Sequence, residues 1–190
     1  MSKTSASELS RVALEQFATV GFAGASLGSI AEAAGVAKSS VLYHYASKEA
    51  LLAAAVQPTI AALRELVDSY PRDGVVEERV AFVGRFVDFL FEYRYAVNVF
   101  VNQGQPLRHI AAVDEANALV QRFGERVTDG LPNAADRIRF GVALGGAAYS
   151  IVAADNWSGD FTDTDEIRAA LVDTVSALLV DRSTASVATF

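Results

Sequence analysis

Residues 29–52 read Ser29-Ile30-Ala31-Glu32-Ala33-Ala34-Gly35-Val36-Ala37-Lys38-Ser39-Ser40-Val41-Leu42-Tyr43-His44-Tyr45-Ala46-Ser47-Lys48-Glu49-Ala50-Leu51-Leu52. Two short helix-forming runs stand on either side of Gly35, which breaks the first. Ser26 is placed to cap that first run, Leu27 to Ala34, whose Ile30, Ala31 and Ala34 face inward. Val36 and Ala37 lead into the second, Lys38 to Tyr45. It is expected to pack through Val41, Leu42 and Tyr45 and to leave Lys38, Ser39, Ser40, Tyr43 and His44 outward. Ser47 then caps a further helix, with Glu49 in its first turn, where a carboxylate suits the positive end of the helix dipole.

Upstream, Leu9, Val12, Ala13, Phe17 and Val20 mark one face of a first helix that ends at Gly21, and Phe22 to Ala25 form a short link. Downstream, the helix that starts near Lys48 continues toward Tyr70, with a bend expected at Pro58. Apolar residues then recur at three- and four-residue spacing in helices over about 75–93, 95–103, 107–129, 134–155 and 164–182. Gly104 with Pro106, Gly130 with Pro132, and the polar stretch 156–163 supply the breaks. Asp163 followed by Glu166 resembles a capping box, and residues 183–190 have the composition of a frayed tail. The fold class expected is all-α, with about nine helices.

Two short helices joined by a glycine-containing turn, the second with a polar outer face, form a helix-turn-helix pattern. An α-helix fits the major groove of duplex DNA and brings side-chain tips to base edges if its other face is anchored in a core. Composition narrows the alternatives. The chain has 190 residues, is 52% hydrophobic and 21% charged, and has no cysteine and two histidines, His44 and His109. Disulfides, thiol nucleophiles and thiolate metal sites are thereby excluded, and little remains for general-base or zinc chemistry. No enzyme activity, cofactor or metal is expected. The net charge of −7 is unevenly spread. Residues 1–48 hold Lys3, Arg11, Lys38 and Lys48 against Glu8, Glu15 and Glu32, so the acidic excess lies beyond them. All three lysines fall in that first quarter. Lys3 itself reads as a solvated arm. With no run of 18 apolar residues and a polar start, neither a membrane span nor a secretory signal is visible, and the cytoplasm is the expected location.

The segment from Ser29 to Leu52 resembles the DNA-binding region of TetR-family transcriptional regulators. The likeness rests on Ile30-Ala31 followed by Ala34-Gly35-Val36, on the aromatic-rich second helix, and on Ser47-Lys48-Glu49 ahead of Leu51. Phe17, Gly21 and Phe22 in the first helix also fit. The resemblance implies a homodimer in which residues 1–47 bind an operator half-site of double-stranded DNA. Residues 48–190 would bind a small effector and dimerise through the last two long helices. It matches Lys38, Ser39, Ser40, Tyr43 and His44 to recognition-helix positions, Lys48 to a phosphate contact, and Ser26 and Ser29 to backbone contacts. Leu42 stands where many members carry tyrosine, and Ala37 where serine often caps the recognition helix. The function implied is a ligand-responsive regulator, a repressor released by a small apolar or amphipathic effector. The alternative is a helical small-molecule-binding or enzymatic protein with a vestigial helix-turn-helix unit.

Beyond residue 60 the aromatic spacing of Phe82, Phe86, Phe89 and Tyr93 is that of a helix face, and such rings can either fill a core or wall a pocket. Tyr93, Phe100, Phe123 and Tyr149 are the pocket candidates, with Asn98, Asn102, Gln103, Arg108 and His109 as possible polar contacts. Phe140, Leu144, Ala147, Ile151 and Ala154, with Ile167, Leu171, Val175 and Leu178, form the stripe expected to dimerise. The run from Gly141 to Gly146 lacks a preceding strand and a Gly-Lys-Ser/Thr ending, so it is no phosphate loop. Asp155, Asp160, Asp163, Asp165 and Glu166 lack calcium-loop spacing, and His109, Asp114 and Glu115 do not share one helix face.

Overall fold

The structure, a computed structural model, describes residues 6–71, 75–129, 131, 133–153 and 164–179. Among these residues it has ten helices and no strand: α1 Ala6–Thr19, α2 Gly21–Gly24, α3 Leu27–Ala33, α4 Lys38–His44, α5 Lys48–Asp68, α6 Val76–Glu92, α7 Arg94–Gln103, α8 Ala111–Thr128, α9 Ala134–Ala153 and α10 Thr164–Leu179. The tenth helix is α2, a single turn where a link is expected from sequence. It forms because Phe22 is buried there. Helix α8 starts at Ala111 rather than near 107, since turns occupy residues 104–109 on either side of Pro106. Lys3, Gly74, the Gly130 and Pro132 break, Ala154, the 156–163 loop with its Asp163 capping box, and the 183–190 tail lie outside the described residues.

The chain divides into two compact units, residues 1–63 with 95–120, and residues 64–94 with 121–190. In the first, α1 packs on α2 and α3, and α3 packs on α4. Phe17, Ile30, Val41, Leu51, Leu52 and Val56 are fully buried. Helices as short as α3 and α4 do not persist alone in water, so this shared core is what holds them. Val20, expected inward, is 54% exposed, because α1 has already ended and the chain reverses at Gly21 with φ +79°. That positive φ is a conformation glycine adopts without the Cβ penalty. Gly35, at φ +66°, does the same after α3, and the Val36 amide reaches back to Ala31 O at 2.9 Å.

In the second unit α6, α9 and α10 pack on one another. Leu144, Ala147, Ile151 and Val175, part of the stripe expected to dimerise, are buried within this unit. Asp88 on α6 accepts a forked pair of hydrogen bonds from Arg168 on α10, with Nη2 to Oδ2 at 2.8 Å. The guanidinium holds the Asp88 carboxyl below the usual carboxylate range. Helix α5 continues unbroken through Pro58. By length and composition α5 could cross a membrane. Its Leu51, Leu52, Val56 and Ile60 are buried in the first unit and its Leu66 and Val67 in the second, as in the core helix of a globular protein.

Candidate nucleic-acid interface

Helix α4 divides sharply into two faces. Val41 is 0% exposed, while Lys38, Ser39, Ser40 and His44 are exposed and Tyr43 is 85% exposed. The Tyr43 and His44 rings stand edge to face, 5.1 Å between centroids, so two flat hydrogen-bonding side chains project together. Between Gly35 and Ser47 the one Lys, Arg, Asp or Glu is Lys38. The face therefore carries donors and acceptors without a carboxylate to repel phosphate. Ala37 occupies the N-cap in extended conformation and offers no side-chain cap, leaving the first amides of α4 free of any protein side-chain acceptor.

Leu42, expected in the core, is 48% exposed. Anchoring falls instead to Val41 and to Tyr45. The latter is half-buried, and its hydroxyl lies 3.1 Å from Ser10 Oγ and donates to Ala6 O at 3.4 Å. One residue of a seven-residue helix filling the core is enough because the turn on each side is fixed separately.

Ser26 and Ser29 cap α3 reciprocally. The Ser29 amide donates to Ser26 Oγ and the Ser26 amide to Ser29 Oγ, each at 3.0 Å. Both hydroxyls stay near the surface, Ser26 exposed and Ser29 half-buried. Ser47 accepts from the Ala50 amide at 3.1 Å, the cap its spacing predicts. The Glu49 carboxyl is held below its ordinary range, first by its backbone amide and then by the Ser47 hydroxyl.

Lys48 has a structural partner set that spacing does not disclose. Its Nζ donates to Phe22 O at 2.6 Å and Ala25 O at 2.8 Å and sits 4.4 Å from the Phe22 ring centre. An ammonium has three donors, so one remains. Gln103 on α7 is the complementary surprise. Its Oε1 accepts from the Phe22 amide at 2.6 Å and its Nε2 donates to Phe17 O at 2.9 Å. The turn that enters α3 is thus held at Phe22 by Lys48 on the carbonyl and Gln103 on the amide. No sequence signal near Gln103 indicates this, since its partners lie more than 80 residues away.

The other polar candidates are engaged locally. Asn102 donates to Asn98, Arg108 pairs with Asp114 at 3.0 Å, and His109 Nδ1 is 3.1 Å from Pro106 O. Asp114 thereby serves Arg108 rather than joining His109 around a metal. The aromatic candidates do not converge. Phe100 is half-buried in the first unit. In the second, Tyr93 is half-buried beside Phe89, and Tyr149 is 58% exposed. Phe123 is buried against the rings of Tyr70, Phe82 and Phe140, with centroids 5.5–5.8 Å away. A cavity of about 70 Å³ lies beside that cluster, lined by Tyr70, Phe82 and Phe140 together with Arg79, Asp136 and Arg139 and five aliphatic side chains. None of Tyr93, Phe100, Phe123 and Tyr149 lines it, although Phe123 backs three of the rings that do.

Residues 9–55, which contain α1 to α4 and the start of α5, match the model of the bacterial regulatory proteins of the TetR family. Residues 9–55 thus carry a region similar to the DNA-binding part of that family. A TetR-family regulator from Streptomyces coelicolor A3 is 26% identical, covering 95% of this chain and 92% of that one, at a TM-score of 0.66. The ketosteroid transcriptional regulator KstR2 of Mycobacterium tuberculosis is 17% identical over 93% of this chain and 96% of that one, at a TM-score of 0.65. The transcriptional regulator FadR from Bacillus subtilis, in complex with stearoyl-CoA, is 18% identical over 91% and 96%, at a TM-score of 0.59. The last two are alike in fold. No curated protein sequence matches at a significant level. The helix-turn-helix region of this chain is thus of the kind that bacterial regulatory proteins of the TetR family carry.

Proposed function

We propose that the chain is an effector-responsive repressor that binds a palindromic operator as a homodimer. The observation that carries this is the two-sidedness of α4, with Val41 buried and Lys38, Ser39, Ser40, Tyr43 and His44 turned to solvent. That is the arrangement a recognition helix needs, with tips for base edges on one side and an anchor on the other. Ser26 and Ser29 are assigned to the phosphate backbone before α3, and Lys48 contributes its remaining donor to a phosphate while bracing Phe22. The functional division falls at residues 47 and 48, the DNA-binding part before it and the effector-binding and dimerising part after it.

Dimerisation is assigned to α9 and α10 through their outer faces. On α9, Ile138, Val142, Gly145 and Tyr149 recur at spacings of four, three and four, and all are exposed. This apolar row, rather than the buried one at Leu144 and Ile151, is the surface available to a second copy. An isologous pairing sets two copies of α4 at the roughly 34 Å repeat of successive major grooves. The stearoyl-CoA complex of the Bacillus subtilis neighbour supports a small-molecule effector for this chain. Effector binding favours one setting of α5, the helix that begins just after α4, and a differential affinity of a few kcal/mol releases the operator.

Gel retardation with the DNA upstream of the chain's own gene is the test. The wild type should retard it in a sequence-specific way, and Tyr43→Ala or His44→Ala should lose about 1–3 kcal/mol of that affinity while leaving random-sequence binding nearly unchanged. Equal losses on specific and random DNA would remove the assignment of α4 to bases.

A further inference from the structure

The cavity of the second unit has a charge composition that its size and walls turn into a ligand preference. Among the described residues that line it, seven are apolar: Phe82, Val83, Val127, Leu131, Phe140, Leu178 and Leu179. The other four are Tyr70, Arg79, Asp136 and Arg139. Two guanidiniums thus stand with one carboxylate among these residues, Asp136 buried and the Arg139 side chain 54% exposed. Arg79 Nε is buried with no hydrogen-bond partner. Arg139 reaches Asp136 only at 3.8 Å, the outer limit of an ion pair. A buried donor atom without an acceptor is costly, so Arg79 Nε favours a ligand that brings one. Burial pushes the Tyr70 phenol up from its ordinary range, so its hydroxyl remains a neutral donor.

We infer that this cavity binds a monocarboxylate with a short apolar body, the carboxylate received by Arg79 and Arg139 and the hydrocarbon by Phe82, Phe140, Val127 and Leu178. The inference rests on the reading of this chain as an effector-responsive regulator and names the chemical class of the effector. A carboxylate brings the acceptor that Arg79 Nε lacks, and its planar shape matches the forked donors of arginine. A phosphate dianion would bring a second charge toward Asp136 and set polar oxygens against the aliphatic wall. The volume sets the length of the body. A cavity of about 150 Å³ accepts benzene, and at about 70 Å³ this one suits a chain of three or four carbons. A long acyl chain does not fit.

Calorimetric titration of the full chain with butyrate, butyramide and inorganic phosphate tests this. Butyrate should bind, and butyramide and phosphate should bind at least tenfold more weakly. Arg79→Met should weaken butyrate at least tenfold with unchanged helical circular dichroism. Arg79→Lys, which keeps the charge but loses the fork, should fall between the two. Butyrate binding that is absent, matched by butyramide or phosphate, or unaffected in the folded Arg79 variants would overturn the proposal. The same samples assayed for retention of the upstream DNA separate the two levels. Charge-selective, Arg79-dependent binding with no change in DNA retention would uphold the site and defeat effector-responsive repression.

Discussion

Val41 and Leu42 are neighbours in sequence with opposite surroundings, one fully buried and the other 48% exposed. A helical step of 100° separates adjacent side chains, so a seven-residue helix laid on a core by one edge buries one of them and not both. Periodicity alone left the pair on one face because α4 is too short for a phase to be read closely. Val41→Ala is expected to cost about 1–3 kcal/mol through lost burial and the hole left behind. Leu42→Ala should stay within about 0.5 kcal/mol. Urea unfolding measures both, and a larger loss for Leu42 would reverse the assignment. The outer residues at 38, 39, 40, 43 and 44, by contrast, were legible from the sequence, since a run of polar tips opposite a valine has few other uses on a buried-core helix.

At the scale of elements, capping and glycine punctuation placed most helix ends. Gly21 and Gly35 take the positive φ expected of them, and Ser26 and Ser47 accept the amides they face. The exceptions are contacts between elements far apart in the chain. By sequence Gln103 ends its helix and is a possible polar contact of a pocket, yet it supplies both hydrogen bonds that pin Phe17 O and the Phe22 amide. Gln103→Leu leaves a half-buried amide and carbonyl without partners and should lower stability by about 1–3 kcal/mol. Amide exchange should quicken at Phe22 before it does in α6. Gln103→Glu keeps the acceptor for Phe22 but loses the donor for Phe17, so about half of the loss is expected. Unaltered exchange at Phe22 in the leucine variant would show the clamp to be idle.

For the whole molecule, the outer row on α9 is the face proposed to meet a second copy. Val142 is exposed and Leu144, two residues on, is buried. Val142→Arg should leave the unfolding free energy of the protomer within about 1 kcal/mol. It should convert the dimer to monomer in sedimentation and weaken operator retention, because a single half-site supplies only part of the contact. Leu144→Arg should unfold the second unit instead, since it buries an unpaired charge. A dimer that survives Val142→Arg unchanged would move the interface elsewhere.

The sequence by itself determined the helical class, most of the described helix ends to within a few residues, the outward face of α4 and the likeness of residues 9–55 to a known regulator family. Each follows from signals within a turn or two of chain: periodicity, caps, glycine conformations and a contiguous motif. Tertiary structure alone decided which side of α9 is buried, what Lys48 and Gln103 hold, and which rings and guanidiniums meet at the cavity. An amphipathic helix carries two candidate faces until a neighbour covers one. A cavity likewise exists only where side chains distant in the chain fail to fill the space between them.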